Sequence, residues 1–390
     1  MRAICWNGVN DLRTETVPDP TILDPRDVIV KVSLSSTCGS DLHFIHGIMP
    51  NMREGDILGH EFIGEVVETG RDVSNVRKGD RVVVPSIIAC GNCWYCEQSE
   101  FEACDNGHSD EHGVQEKLIG YTTAGFYGCS HTYGGYAGSH AEYIRVPYGD
   151  VGCFKVPDGL TDPQALFISD AVPTAYLGAE FAGIEPGDTV AVWGCGAVGL
   201  LAQQFAYLMG AGRVIAIDRV PERLAIARDR IGAEIIDFSQ VEHVNQTLKE
   251  MTNGRGPDRC IDAVGMEAQG SGIMGAYDKV KQKLHLATDR GEALRQAMLS
   301  VRKAGTLSIL GVYFLMDKFP LGMLINKNVT VRAGLQNGHK HIPRLLELAE
   351  AGTLDASFLD THRFSLEDPM KAYEQFADKK DGCVRAVFAP

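Results

Sequence analysis

The chain has 390 residues, of which 44% are hydrophobic, so it is long enough to bury the cores of two domains. Its formal net charge of -14 argues against nucleic acid or an anionic membrane as a partner, because both favour a basic protein surface. The sequence has no apolar run as long as a bilayer span and no signal-peptide pattern in its first residues, so we expect a cytoplasmic protein. In that compartment the 11 cysteines are expected to be thiols or metal ligands rather than disulfides.

The first part of the chain has the pattern of a compact β domain. Residues 27–34 (DVIVKVSL) alternate as a half-buried strand does, and residues 79–84 give another apolar strand. Residues 36–43 place a thiol, a hydroxyl, a carboxylate and an imidazole in a loop or short helix, a mixture that is poor core material. His60 and Glu61 then stand at the head of a further apolar strand. This segment therefore combines a β core with several chemically reactive side chains.

Four cysteines follow with the spacing C-x2-C-x2-C-x7-C, namely Cys90, Cys93, Cys96 and Cys104. Four thiolates at this spacing can fold around one tetrahedral ion and leave no open coordination position. We therefore predict a structural zinc site. An iron–sulfur cluster and plain surface thiols are the alternative interpretations.

Residues 106–150 are rich in Gly, Tyr and His and show no helical period, so we expect loops followed by a strand at 141–146. The histidines of this stretch, His108, His112 and His131, have no ligand spacing. Asp170 lies farther along the chain, within a small and apolar segment. Because burial of an uncompensated carboxylate is costly, Asp170 is expected to have a cationic partner.

Residues 189–218 have the order of a dinucleotide-binding βαβ unit: strand, glycine turn, helix and second strand. Gly194 permits the tight turn, Gly196 lets the backbone approach a pyrophosphate, and Gly199 lets the helix pack close to the strand. The free N–H groups and the dipole at the helix N-terminus favour an anion there.

Asp218 ends the second strand of this unit, where a carboxylate can accept both ribose hydroxyls of a dinucleotide. The same negative charge repels a 2′-phosphate, which favours NAD over NADP. Arg219 and Arg223 lie close by in the sequence and could accommodate a phosphate, so NADP remains the alternative.

The alternation of strands and helices continues after Asp218 and predicts a doubly wound parallel sheet. The predicted elements are a helix at 221–231, a strand at 234–238, a helix near 241–252, a strand at 258–265, a helix near 292–303, and strands at 306–312 and 329–335. Residues 266–297 form an expected insertion at the carboxyl edge of the sheet. Helices near 342–351 and 368–377 and a strand at 384–388 are expected to return to the first domain.

The motifs occur in the order Cys38, Gly59-His60-Glu61, four-cysteine lobe and glycine turn, and with them the chain resembles the zinc-dependent medium-chain alcohol dehydrogenases over essentially its whole length. It looks most like their glutathione-independent formaldehyde dehydrogenase branch at residues 134–143, 169–174 and 262–265 and in the long insertion. Ser139-His140 departs from that branch, which has Gly-Gln there, and Gln336-Asn337 lies in a region that varies with substrate.

The resemblance implies an α/β protein with two domains. Residues 1–171 and 336–390 would form a GroES-like, β-rich catalytic domain that includes a structural zinc lobe at 88–106. Residues 172–335 would form a Rossmann NAD-binding domain. The family also implies two zinc ions per chain and a homo-oligomer, with a tetramer favoured.

The resemblance further implies that Cys38, His60 and Asp170 bind the catalytic zinc and leave one position open for water or a substrate oxygen. The donor chemistry agrees, because a thiolate, an imidazole and a carboxylate are all zinc ligands and nearly neutralise the ion. Glu61 would be a neighbouring carboxylate or a transient ligand. Ser40 and His43 fit the family's proton relay, in which the hydroxyl touches substrate and the imidazole lies nearer to solvent.

The implied function is hydride transfer between NAD and a small alcohol or hydrated aldehyde. The cofactor contacts implied by the family, besides the glycine turn and Asp218, are Thr174, Ala197, Val198, Arg219, Arg223, Val264, Gly311 and Val312. The alternatives are an aldehyde dismutase with tightly bound NAD and a non-catalytic NAD- or zinc-binding protein. A zinc-free quinone reductase is disfavoured, because that branch lacks the metal ligands.

Overall fold

The computed structural model describes residues 1–108, 113–266, 291–313 and 319–390. The described chain divides into two compact units, Met1–Pro173 with Gln336–Pro390 and Thr174–Leu335. Most of the insertion expected at 266–297 lies outside the described residues, as does His112. Among the helices that are described, none combines the length and the apolar character needed to cross a membrane.

The strands are numbered in chain order. They are β1 Arg2–Trp6, β2 Leu12–Thr16, β3 Val28–Ser36, β4 Asp56–Ile57, β5 Glu61–Thr69, β6 Arg81–Val84, β7 Ile87–Ile88, β8 Gly125–Phe126, β9 Tyr143–Val146, β10 Phe154–Lys155, β11 Thr189–Trp193, β12 Arg213–Asp218, β13 Glu234–Asp237, β14 Arg259–Asp262, β15 Thr306–Ile309, β16 Thr330–Ala333, β17 Asp360–Phe364 and β18 Arg385–Phe388.

The α-helices vary from four to thirteen residues. They are Asp41–Ile45, Trp94–Glu97, Val114–Ile119, Gly149–Gly152, Asp162–Leu166, Ala171–Ala182, Ala197–Leu208, Pro221–Ile226, Val244–Met251, Glu292–Ser300, Leu321–Lys327, Gly338–Glu350 and Pro369–Asp378.

The first unit is built on a seven-stranded sheet with the order β10-β6-β5-β3-β18-β17, in which β9 also pairs with β3. In β3 the side chains of Lys31 and Ser33 are exposed between buried neighbours, as the alternating sequence predicts. Strand β18 pairs antiparallel with the end of β3, so strands from the N-terminal and C-terminal parts of the chain lie side by side in this sheet. This pairing brings C-terminal side chains to the segment that follows β3, where Cys38 lies.

The second unit contains six parallel strands in the order β13-β12-β11-β14-β15-β16. Counted within the unit this is the order 3-2-1-4-5-6 of a doubly wound nucleotide-binding sheet, which confirms the predicted Rossmann fold. The predicted strand at 258–265 is shorter in the structure and ends at Asp262, because the next three residues form the turn at the carboxyl edge.

The structure contains elements that the sequence pattern did not predict. The helix Ala171–Ala182 was not expected, because it is buried on most sides and therefore lacks a polar face with a helical period. Strand β17 has the polar sequence DTHRF and lies at the sheet edge. Residues 113–150 also form helices of one or two turns, which are too short for a periodic signal.

Candidate metal and cofactor sites

The four cysteines of the predicted structural site converge in a small buried cluster in the first unit. Their Sγ atoms lie within 4.8 Å of one another. The Sγ atom of Cys93 is 3.5 Å from that of Cys96 and 3.9 Å from that of Cys104. Zinc–sulfur bonds of about 2.3 Å in a tetrahedron place the sulfur atoms roughly 3.8 Å apart, so the cluster has the dimensions of a four-thiolate zinc site.

The pKa values of three of the four cysteines in this lobe are shifted from the usual value of a thiol, in both directions. Burial raises the pKa of Cys104 to about 11 and raises that of Cys96 as well. Burial opposes ionisation of Cys93 too, but the backbone N–H groups of Cys96 and Asp105 lower its pKa to about 7. Burial alone would keep Cys96 and Cys104 protonated, and a bound zinc ion would supply the charge that stabilises all four thiolates together.

A second group of potential ligands comprises Cys38, His60, Glu61 and Asp170, whose donor atoms also lie within 4.8 Å of one another. Cys38 follows β3, His60 and Glu61 meet the start of β5, and Asp170 follows the short turn Phe167–Ser169. The His60 Nε2 atom is 3.4 Å from the Asp170 Oδ2 atom. The structure thus brings together, within one unit, three segments that are far apart in the sequence.

Burial and charged neighbours shift the pKa of two acidic groups at this site, Cys38 and Glu61. Burial opposes ionisation of the Cys38 thiol, but Arg385 and His60 outweigh it and lower the pKa to about 6. Burial raises the pKa of Glu61 well above its usual range, although Arg385 acts in the opposite direction. Glu61 Oε1 accepts a hydrogen bond of 2.8 Å from Arg385, whereas Glu61 Oε2 is buried without a hydrogen-bond partner.

The donor set of Cys38, His60 and Asp170 fits zinc, because it offers one sulfur, one nitrogen and one carboxylate oxygen in a buried site. The unpartnered oxygen of Glu61 fits the expected role of a carboxylate that approaches the metal transiently.

The two residues of the expected proton relay lie at the start of one short helix. The Ser40 Oγ atom is 3.3 Å from the His60 Nε2 atom, so the hydroxyl lies directly at the candidate metal site. His43 lies in the helix Asp41–Ile45 and is buried, whereas Ser40 is half-buried. The expectation that the imidazole is the more exposed of the two is therefore wrong, because this helix packs His43 into the domain.

Asp41 and Arg385 support this site, although neither was predicted from the sequence to have a role there. Asp41 Oδ1 lies 3.3 Å from His60 Nδ1, on the side of the ring opposite Nε2. Arg385, on β18, forms a fully buried ion pair with Glu61. Asp41 was visible in the reactive segment 36–43, whereas no local signal distinguished Arg385.

A second pair of supporting residues holds Asp170. The Ser86 hydroxyl donates a hydrogen bond of 3.1 Å to Asp170 Oδ1, and the Gln336 amide donates one of 2.8 Å to Ser86 Oγ. All three side chains are buried. From the sequence, Gln336 was noted only as part of a region that varies with substrate. In the structure it orients the candidate ligand Asp170 through Ser86.

The glycine turn lies in the second unit between β11 and the helix Ala197–Leu208, and Gly196 precedes the first turn of that helix. A Cβ atom on Gly199 would lie 1.9 Å from the Gly194 carbonyl oxygen, so only glycine permits this close approach of helix and turn. Ala197 and Val198 occupy the first turn of the helix, where N–H groups are free for an anion.

Asp218 ends β12 at the same edge of the sheet. Its Oδ2 atom accepts a hydrogen bond of 2.6 Å from the backbone N–H of Cys195, and its Oδ1 atom accepts one of 2.6 Å from the backbone N–H of Arg219. The exposed Arg219 and the buried Arg223 follow it, and Arg223 lies close to Gly196. The carboxylate is thus fixed against the glycine turn.

The other cofactor residues expected from the resemblance also lie in the second unit. Val264 follows β14, and Gly311 and Val312 follow β15. Val264 and Val312 are 39% and 36% exposed, which is high for valine and leaves apolar surface for a ligand. The backbone N–H of Met266 donates to the Val312 carbonyl at 2.8 Å and joins the two turns. Thr174 lies in the helix Ala171–Ala182.

A GroES-like sheet unit that carries both donor groups, together with a doubly wound parallel-sheet unit, defines a zinc-binding dehydrogenase of two domains. The chain belongs to the zinc-dependent medium-chain alcohol dehydrogenase family. Residues 24–158 match the family described as "Alcohol dehydrogenase GroES-like domain", and residues 197–274 match the one described as "Zinc-binding dehydrogenase".

Individual relatives agree with this assignment. The "Uncharacterized zinc-type alcohol dehydrogenase-like protein AdhB" of Bacillus subtilis (strain 168) is 39% identical, with 100% of both chains covered. The glutathione-independent formaldehyde dehydrogenase of Pseudomonas aeruginosa (strain LESB58) is 34% identical over 81% of this chain and 76% of its own. The structure of alcohol dehydrogenase TADH from Thermus sp. ATN1 superimposes with a TM-score of 0.83 at 33% identity, covering 100% of this chain and 99% of that one.

Proposed function

We propose that the protein is an NAD-dependent oxidoreductase that uses zinc to transfer hydride between the cofactor and a small alcohol or hydrated aldehyde. The convergence of Cys38, His60, Glu61 and Asp170 in one buried group carries this proposal. A merely structural metal site would bury a closed ligand set, as the four-cysteine lobe does. Here a hydroxyl, that of Ser40, lies beside the ligand group and provides a partner for a substrate oxygen.

Each metal would have its own set of residues. Cys38, His60 and Asp170 would hold the catalytic zinc, and Cys90, Cys93, Cys96 and Cys104 the structural zinc. The catalytic zinc supplies a Lewis acid that lowers the pKa of the substrate hydroxyl. The low pKa of Cys38, about 6, favours the thiolate form that a metal ligand requires.

The residues near the site account for the proton that leaves the substrate. We infer that the Ser40 Oγ atom accepts this proton and passes its own to His43, which lies one helical turn later. Bound NAD would supply the hydride acceptor and this pair would take the proton, so the two-electron oxidation of the substrate would balance.

The second unit would supply the cofactor site. The glycine turn and the helix that follows it would bind the pyrophosphate. Asp218 would accept hydrogen bonds from the adenosine ribose and repel a 2′-phosphate, which favours NAD. The backbone N–H groups of Cys195 and Arg219 already fix the orientation of this carboxylate.

Small alcohols or aldehydes are the proposed substrates, and the relatives support this class. The Pseudomonas aeruginosa relative is named for formaldehyde and the Thermus relative for alcohol. At Ser139-His140 this chain departs from the formaldehyde dehydrogenase branch, and both side chains are buried. Because they are buried, they influence the site through the residues they pack against. We infer that the choice between alcohol and aldehyde depends on the loops at 44–49 and 120–136.

We further infer a cytoplasmic homo-oligomer, with a tetramer favoured by the family. None of the eleven cysteines is paired in a disulfide, which suits a reducing compartment. Strand β16 lies at the edge of the second unit's sheet with all four residues exposed, which supports pairing with another chain.

The test is a panel of short alcohols and aldehydes with NAD or NADP, followed by the absorbance of the reduced cofactor. The proposal expects turnover of at least one small substrate and a higher kcat/KM with NAD. Redox-neutral conversion of an aldehyde without added NAD would point instead to a dismutase. A protein that binds zinc and NAD but oxidises no member of the panel would contradict the proposal.

A further inference from the structure

A chain of buried polar side chains lies behind the candidate catalytic zinc site. It begins at Asp41, whose carboxylate is 0% exposed and whose Oδ1 atom faces His60 Nδ1 at 3.3 Å. The other oxygen, Oδ2, accepts hydrogen bonds from the backbone N–H of Cys38 at 2.7 Å and from the Tyr373 hydroxyl at 2.9 Å. Asp41 therefore contacts the segments of two candidate zinc ligands.

The chain continues beyond Tyr373 through three more side chains. The Tyr373 hydroxyl lies 2.8 Å from His140 Nε2, and His140 Nδ1 lies 2.7 Å from Ser35 Oγ. Ser35 Oγ is in turn 2.8 Å from Ser139 Oγ. None of these residues is more than 2% exposed, so the chain has no end at the protein surface. It is consequently a fixed network rather than an exit path for protons.

A single assignment of protons satisfies the whole chain. Asp41 Oδ2 already accepts a hydrogen bond from the backbone N–H of Cys38, so this oxygen acts as an acceptor toward Tyr373 as well. Tyr373 must therefore donate to Asp41, and its oxygen then accepts from the Nε2–H of His140. Burial lowers the pKa of His140, so the ring is neutral and Nδ1 accepts from Ser35. Ser139 completes the series by donating to Ser35.

The backbone holds His140 against the segment that leads into His60. The His140 N–H donates to the Leu58 carbonyl at 2.9 Å. A Cβ atom on Gly59 would lie 2.5 Å from His140 Nδ1, so the imidazole occupies space that only glycine leaves open. Because Gly59 directly precedes His60, the position of the His140 ring is tied to the position of the ligand.

We propose that Tyr373 and His140 are positioning residues for the catalytic zinc, which hold Asp41 so that its carboxylate orients the His60 imidazole. This inference rests on the proposed function. It assigns a role to His140, where the chain departs from the formaldehyde dehydrogenase branch, and to Tyr373 on the C-terminal helix Pro369–Asp378. Partners that orient a metal-bound histidine change metal affinity by about 10- to 100-fold when they are removed.

The test uses Tyr373→Phe, which removes one hydroxyl and keeps the ring. Zinc affinity is measured by competition with a chromophoric chelator, and Co²⁺ is loaded into the catalytic site so that its visible spectrum reports ligand geometry. Because Tyr373 contacts Asp41 and not His60, we expect zinc binding weaker by up to about 10-fold, the lower end of that range, and an altered Co²⁺ spectrum, with the four-cysteine zinc unchanged. Tyr207→Phe is the matched control, because its hydroxyl donates to the Gly232 carbonyl at 2.9 Å in the other unit.

A double-mutant cycle shows whether Tyr373 acts through Asp41. In an Asp41→Asn background, Tyr373→Phe should cause no further loss of zinc affinity. If Asp41→Asn does not fold, the cycle is run with His140→Gln, where the same non-additivity is expected.

Equal zinc affinity and Co²⁺ spectra in wild type and Tyr373→Phe, or an equal loss in both backgrounds, would overturn the inference alone. A wild-type chain that binds zinc only in the four-cysteine lobe would overturn the proposed function and the inference with it.

Discussion

The buried ion pair between Arg385 and Glu61 should contribute to the free energy of unfolding, and the structure allows the size of this contribution to be predicted. The two side chains are 3% and 0% exposed, and Arg385 Nη2 lies 2.8 Å from Glu61 Oε1. Arg385 also donates from Nη1 to the Thr37 carbonyl, directly before Cys38. Replacement by methionine would keep most of the side-chain volume but leave the carboxylate unpaired in the core.

Removal of one partner from a buried pair typically costs about 3–5 kcal/mol, because the remaining charge keeps its desolvation penalty. Because burial already raises the pKa of Glu61, its carboxyl can take up a proton when Arg385 is replaced, so we expect Arg385→Met to lower the free energy of unfolding by about 3 kcal/mol, the lower end of this range. Glu61→Gln should cost less, because Arg385 also interacts with Cys38 and Asp170. The double variant should regain much of the loss, since it leaves no unpaired charge at this position.

The assay is urea unfolding at fixed zinc content, followed by fluorescence and circular dichroism. Arg344→Met is the matched control, because Arg344 Nη1 also lies 2.8 Å from its partner Glu347 but both side chains are more than half exposed. That variant should cost no more than about 1 kcal/mol. If Arg385→Met is no less stable than Arg344→Met, the reasoning is refuted.

Three further predictions concern turnover, cofactor choice and pH. Ser40→Ala should lower kcat by about 100-fold through loss of proton transfer while both zincs stay bound, and unchanged turnover from pH 6 to 9 would contradict the relay. Asp218→Asn should raise the kcat/KM ratio of NADP to NAD by about tenfold, because it removes charge repulsion worth roughly 1.4 kcal/mol, whereas an unchanged ratio would rule out that repulsion. Burial lowers the pKa of His339 to about 3, so the unfolded chain binds the extra proton as pH falls through about 6.5. Stability should then fall by about 1.4 kcal/mol per pH unit between pH 6 and 4, and His339→Phe should reduce this slope in urea titrations, whereas equal slopes would count against it.

The sequence was sufficient for the parts of the protein whose signals are local. The six parallel strands follow from apolar runs that alternate with helices, and the glycine turn follows from spacing within one βαβ unit. The four-cysteine lobe is likewise encoded within 15 consecutive positions, Cys90 to Cys104. Asp170 was recognisable because a carboxylate in an apolar segment needs a partner, and the structure places it beside His60.

The supporting contacts of the site could not be predicted, because they join residues that are distant in the sequence. Tyr373 and Asp41 are 332 positions apart, and Arg385 and Glu61 are 324 apart. These contacts exist because β18 returns to pair with β3, and no local pattern reveals which side chains this pairing brings together.

The central claim is that the chain holds two zinc ions and that Cys38, His60 and Asp170 bind the catalytic one. The most direct measurement is the zinc content of wild type and of Cys38→Ser, each assayed with the same alcohols and NAD. The account predicts two zincs per wild-type chain, and one zinc with no dehydrogenase activity for Cys38→Ser. Two tightly bound zincs and undiminished activity in Cys38→Ser would contradict it.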